Sequence, residues 1–217
     1  MYFISGNVLF KNKIVKIFFG EFTMEKDEFQ AKYKEIYEKL QSTRKELVEL
    51  IKKGTEKEKI DNHSLINSEG KKVTLIELFA DKDELLLVHN MGESCPYCHL
   101  WAHGLNGLVN HIKNRVNFFV VSPDNYAIQN KIKIERGYSF DMLSAEGSAF
   151  TKELNFYDEK NDFHLPGFST FKKEADGSIY RSGMDYFGPF DLYNPTWHMF
   201  ELLPKAVNNW QPRINYS

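Results

Sequence analysis

The feature that most constrains this chain is the placement of its two cysteines. They stand together in Ser94-Cys95-Pro96-Tyr97-Cys98-His99, directly after Leu85-Leu86-Leu87-Val88-His89, a continuous apolar run of strand length. Such a run reads as a strand buried on both faces, and residues Cys98 to Lys113 can then be helical. A strand that delivers Cys-x-x-Cys to a helix start sets the first sulfur among unpaired N–H groups at the positive end of the dipole, where a thiolate is stabilised. Cys95 is therefore the expected nucleophile. Two intervening residues let Cys98 reach back over one turn and resolve a mixed disulfide. Pro96 at the first helical position loses no hydrogen bond there. A secreted scaffold would scatter its cysteines along the chain, so this pair argues for chemistry rather than stapling.

Around this centre the chain reads as α/β. Residues 1–23 differ in composition from the rest of the chain, and two readings stay open for them: an extension upstream of a natural start at Met24, or a short strand added to a sheet. From Glu25 to Lys53, Phe29, Tyr33, Ile36, Leu40, Leu47 and Leu50 keep a 4-3 spacing interrupted at Thr43, which predicts a long amphipathic helix stopping at Gly54. Packing of that stripe on its own domain is the simpler expectation, and a coiled-coil seam is the alternative. Residues 24–60 thus form a helix and linker, and 61–217 the main domain. There we expect a hairpin turning on Glu69-Gly70, a short helix over Leu75–Phe79, a second buried strand over Val116–Ser122 and a helix over Asp124–Gly137. Next come a strand over Phe140–Ser144, a helical turn over Ser148–Leu154 and a closing hairpin around Asp176-Gly177.

Composition excludes several classes. With 217 residues, of which 42% are apolar and 15% aromatic, the chain can bury a core without metal or disulfide support. Lys and Arg number 28 against 30 Asp and Glu, so no broad field attracts nucleic acid. No stretch approaches a membrane span. The N-terminus lacks a basic segment followed by a sustained apolar one, which leaves the cytoplasm as the expected compartment.

The order of the buried strand, CPYC at a helix start, the strand Val116–Ser122, and Leu165-Pro166 leading into Gly167-Phe168-Ser169-Thr170-Phe171 resembles the thioredoxin superfamily. That resemblance implies a central mixed sheet flanked by helices, and a cis proline at Pro166 facing the redox pair. More narrowly, residues from about 28 to 204 resemble a bacterial thioredoxin-like family of predicted dithiol-disulfide oxidoreductases. The matching features include the long first helix, Trp101 after the cysteines, Val120-Val121-Ser122, Tyr138-Ser139-Phe140, Gly147-Ser148-Ala149-Phe150 and Leu165-Pro166-Gly167. There are departures too. Glutaredoxins share CPYC but carry Val where Leu165 stands. Peroxiredoxins place Thr or Ser three residues before their reactive cysteine, where this chain has Gly92. Thioredoxins bury an Asp six residues before the first cysteine, where this chain has His89.

The expectation is a thiol-disulfide oxidoreductase with no cofactor, acting on a protein or small-molecule disulfide and served by an unidentified electron donor. Cys95, Cys98, Pro166 and His89 are its catalytic candidates, with His89 either taking the Cys98 proton or standing as a hydrogen-bonded core histidine. Pro96, Tyr97, Leu165 and Trp101 are the candidates for contact with substrate. Glu93 beside the motif would raise the Cys95 pKa if close. The aromatic segment 183–198 either caps the core or lines a pocket. Cys95-x-x-Cys98-His99 also fits c-type haem attachment, but that needs export. A zinc site from Cys95, Cys98, His99 and His103 would hold the thiols inert. A non-catalytic binding, redox-sensing or metal-holding module is the competing class, and a homodimer through the long helix or a sheet edge is a further expectation.

Overall fold

A computed structural model describes residues 17–19, 22–56 and 58–216, with side chains from residue 25 onward. The chain divides into two compact units, residues 1–50 and 51–217.

In the first unit, β1 (Ile17–Phe19) and β2 (Phe22–Met24) pair antiparallel as a sheet of their own. Most of the expectation for residues 1–23 lies outside the described residues. Helix α1 (Lys26–Thr55) comes next, with Asp27 and Glu28 in its first turn and Lys52 and Lys53 in its last, each complementing the dipole. It ends one residue beyond Gly54, where the Thr55 hydroxyl donates to the Ile51 and Lys52 carbonyls.

The second unit contains β3 (Lys59–Ile60), β4 (Ser64–Ile66), β5 (Lys72–Thr74), a 3-10 turn (Glu77–Phe79), β6 (Glu84–His89), α2 (Pro96–Asn106) and α3 (Val109–Arg115). It continues through β7 (Asn117–Ser122), α4 (Tyr126–Arg136), β8 (Asp141–Ser144), α5 (Phe150–Glu153), β9 (Tyr157–Asp158) and β10 (Phe163–His164). It ends with β11 (Gly167–Lys173), β12 (Ile179–Tyr186) and α6 (Pro195–Glu201). Eight strands form one mixed sheet in the order β3-β12-β11-β6-β7-β8-β4-β5. The pairs β6–β7 and β7–β8 are parallel, and β11 runs antiparallel to both β6 and β12. The expected helix over 98–113 is two helices, because the chain breaks at Gly107-Leu108 between α2 and α3. The short strands β3, β9 and β10 and the helix α6 are additions to the expected elements.

Strand alternation sorts the core into two layers. Leu85 and Leu87 of β6 join Phe150, Phe156 and Phe171 on one face. Val88, Phe118 and Val120 face the other way, against Trp101 and Ala102 of α2, Val109 of α3 and Ile132 of α4. The carboxyl ends of β6 and β7 therefore lie side by side, with the start of α2 above them.

Candidate functional site

Cys95 is the residue that caps α2. Its backbone is extended (φ −89°, ψ 104°), Pro96 takes the first helical position, and the Cys98 N–H donates to the Cys95 sulfur at 3.2 Å. Both cysteines are free thiols; Cys95 is half-buried and Cys98 is buried. The Cys98 thiol is held by the Met91 N–H at 3.4 Å, and Cys95 Sγ lies 3.8 Å from Met91 Sδ.

These contacts split the two thiols. Donation from the Cys98 thiol, aided by the Cys98 and Tyr97 amides, outweighs burial and brings Cys95 down to about 7. The proton stays on Cys98, whose pKa is pushed up by that same hydrogen bond, by burial and by the Cys95 charge. Glu93 is not among the groups that shift Cys95, and the pKa moves down where a nearby carboxylate was expected to raise it.

His89 continues the alternation of Leu85 and Leu87, so its ring lies on the sheet face opposite α2. There it stacks on Phe156 (3.7 Å between centroids, 9° between planes), and Nε2 meets Ser169 Oγ at 3.1 Å. Burial, with the Arg181 charge, drives its pKa down to about 3, so the ring is neutral. Its Nε2 partner is Ser169, not a cysteine sulfur, and its Nδ1 is buried without a hydrogen-bond partner among the described residues. His89, Cys98, Trp101 and Pro166 border one small cavity beneath the motif.

The Leu165–Pro166 bond is trans, as are all peptide bonds of the described residues, which corrects the cis bond expected from the resemblance. The Leu165 N–H donates to the Phe156 carbonyl and the Pro166 carbonyl accepts from Phe187, so neither is open to a substrate chain. Leu165 packs partly against the core. Trp101 is fully packed, stacked on Phe187 at 5.4 Å, and offers no platform to a substrate. Pro96 and Tyr97 are half-buried, and the Tyr97 ring lies along Trp197 of α6 at 6.1 Å. The aromatic segment thus walls the motif as well as capping the core.

Three further residues belong to the site. His99 Nε2 donates to the Glu93 carbonyl at 2.9 Å, which leaves Nδ1 facing the Tyr138 hydroxyl at 3.0 Å. Both ring nitrogens are thereby committed. Tyr138 is raised by burial to about 12. Asp124, just past β7, accepts from the Ser122 hydroxyl at 3.0 Å; burial raises its pKa, and its charge acts on Cys98. Gly92 gives this carboxylate room: its φ is +117°, and a Cβ there would stand 3.1 Å from Asp124 Oδ1. Parallel neighbouring strands bring their carboxyl ends together, and that rule applied to Val120-Val121-Ser122 would have pointed to Asp124.

The mixed sheet, the helices on its faces and a Cys-x-x-Cys at the start of α2 define a thioredoxin-fold protein. The chain belongs to the family described as bacterial protein of unknown function, DUF899, which it matches over residues 21–215. Reduced Prx3 from Vibrio vulnificus in complex with hydrogen peroxide is similar in structure, with a TM-score of 0.50 and 16% identity over 62% of this chain and 88% of that one. Peroxidoxin BcpB from Mycobacterium tuberculosis gives 0.48 and 17% identity over 59% and 83%. At such identities the likeness is one of fold. No curated protein matches the chain. Among the described residues, no helix is long and apolar enough to cross a membrane.

Proposed function

We propose that the chain is a dithiol-disulfide oxidoreductase of the cytoplasm, acting through Cys95 and Cys98. The observation that carries this reading is the placement of the two thiols: Cys95 caps α2, half-buried and accepting the Cys98 N–H at 3.2 Å, while Cys98 lies buried one turn on, an arrangement that lowers the Cys95 pKa to about 7. The Cys95 thiolate attacks one sulfur of a substrate disulfide, forming a mixed disulfide and expelling the other sulfur as a thiolate. Cys98 gives up its proton, attacks Cys95 Sγ and releases the second substrate thiol. Two electrons have then passed to the substrate, and the protein holds a Cys95–Cys98 disulfide that an external dithiol must reduce. Tyr97 and Pro96, half-buried beside Cys95, are the substrate-contact residues of this reading. His89 and Pro166 support the site from beneath.

The test is reduction of a model disulfide such as insulin with dithiothreitol as donor. Cys95→Ser should abolish turnover, and Cys98→Ser should accumulate mixed disulfides through Cys95. Equal activity in Cys95→Ser and the parent would overturn the proposal. Hydrogen peroxide offered in place of insulin separates disulfide exchange from peroxide reduction.

A further inference from the structure

Helix α1 carries a repeat that the redox site does not use. Tyr33, Ile36, Leu40, Thr43, Leu47 and Leu50 succeed one another at 3-4 spacing through its length. Tyr33, Ile36, Leu40 and Leu50 are between 55% and 67% exposed. In heptad terms Tyr33, Leu40 and Leu47 occupy a, and Ile36, Thr43 and Leu50 occupy d. Thr43 breaks the apolar row near its centre, where a small residue can sit against a larger one.

The flanking charges choose an occupant and a direction. If two copies of α1 run antiparallel, each a residue meets a d residue: Tyr33 the partner's Leu50, Leu40 the partner's Thr43, and Leu47 the partner's Ile36. In that register Lys39 lies beside the partner's Glu46, twice by symmetry, and Tyr37 beside the partner's Arg44, also twice. Lys32 and the partner's Lys53 repel, but at the outer ends of the seam, where solvent screens them. A parallel pair would instead set Lys39 against the partner's Arg44 on both sides. We propose that α1 is a homodimerisation element that pairs antiparallel with α1 of a second copy, its twofold axis passing between Gln41 and Ser42.

The experiment measures the mass of the full-length protein by sedimentation across micromolar concentrations, in the parent and in charge variants. The parent should dimerise. Lys39→Glu replaces two attractive contacts with two repulsive ones and should weaken the dimer by about tenfold. Adding Glu46→Lys should restore it, because the pair is then exchanged rather than lost. A monomeric parent overturns the proposal, and so does a Lys39→Glu dimer of unchanged or higher affinity; the latter is what a parallel seam predicts. Cross-linking provides a second reading in the Cys95→Ser/Cys98→Ser background. Tyr33→Cys and Leu50→Cys proteins should form disulfides when mixed, but neither alone, since like residues would lie roughly 25 Å apart along the axis. Cross-linking of Tyr33→Cys with itself overturns the antiparallel register.

Discussion

Cys95 and Cys98 have the same side chain and differ in where the fold sets their sulfurs. Cys95 accepts the capping N–H and the Cys98 thiol proton, whereas Cys98 lies buried behind it. Thiolate reactivity should therefore rise through a single inflection near pH 7, and Cys95 should be labelled first. Iodoacetamide kinetics followed by peptide mass mapping check both; labelling of Cys98 before Cys95 would reverse the assigned roles. His89 makes a separate prediction. Its folded pKa is about 3 against 6.5 for an unperturbed histidine, so below about pH 6.5 the unfolded chain takes up a proton that the folded chain refuses. Stability present above that pH is lost toward pH 3, at up to about 1.4 kcal/mol per pH unit for one proton. His89→Gln should flatten this acid limb, although losing the stack on Phe156 lowers its stability at pH 7. Urea denaturation at pH 7 and pH 5 decides: an equally steep loss in the variant would remove His89 as the group responsible.

Among the elements, β11 is the one whose start is most tightly fitted to the site. Gly167 pairs with His89 across the sheet, and a Cβ there would stand 2.7 Å from the Phe156 ring, besides meeting the Asp185 carbonyl. Gly167→Ala should therefore cost about 1–3 kcal/mol by overpacking and lower the melting temperature by several degrees, while Cys95 keeps its alkylation profile. An unchanged melting temperature would mean that β11 and Phe156 yield freely. Two of the three parallel strands, β6 and β7, are legible in the sequence because a strand buried on both faces leaves a continuous apolar run. The start of α2 is legible because capping and Pro96 are local signals. The break after α2 is hidden because the sequence on either side of Gly107 fits a helix equally well. Helix α6 carries two local signals, Asn194 as its cap and Pro195 in its first turn, but the Gly/Pro-rich approach to it reads as loop and masks both. Tyr138 and Trp197 reach the motif from other segments, and such neighbours depend on tertiary packing that no local pattern encodes, whereas Asp124 follows from its place at the carboxyl end of β7. The cis geometry of Pro166 is what the resemblance implies, and that expectation fails, because the Leu165–Pro166 bond is trans.

The properties of single residues become a property of the whole molecule through the equilibrium between its dithiol and disulfide forms. Below pH 7 the reduced protein carries protons on both sulfurs, so reducing the disulfide takes up two electrons and two protons. Above pH 7 Cys95 is a thiolate while Cys98 keeps its proton, and reduction takes up two electrons and one proton. The midpoint potential should thus fall by about 59 mV per pH unit below pH 7 and by about 30 mV per unit above it. Stability is linked to the same ionisation. The folded pKa of about 7 lies below the ordinary thiol value of 9.0, so the thiolate's contribution to the reduced fold is complete above about pH 9 and is lost as pH falls through 7. The oxidised protein has no such group, so the melting temperature of the reduced form should gain on that of the oxidised form between pH 7 and pH 9. Equilibration with dithiothreitol buffers from pH 5.5 to 8.5, with thiols trapped and counted, measures the slope; paired thermal melts measure the gap. A constant slope of about 59 mV through pH 8.5 would put Cys95 at an ordinary thiol pKa, and the capping geometry at α2 would then give no thiolate at neutral pH.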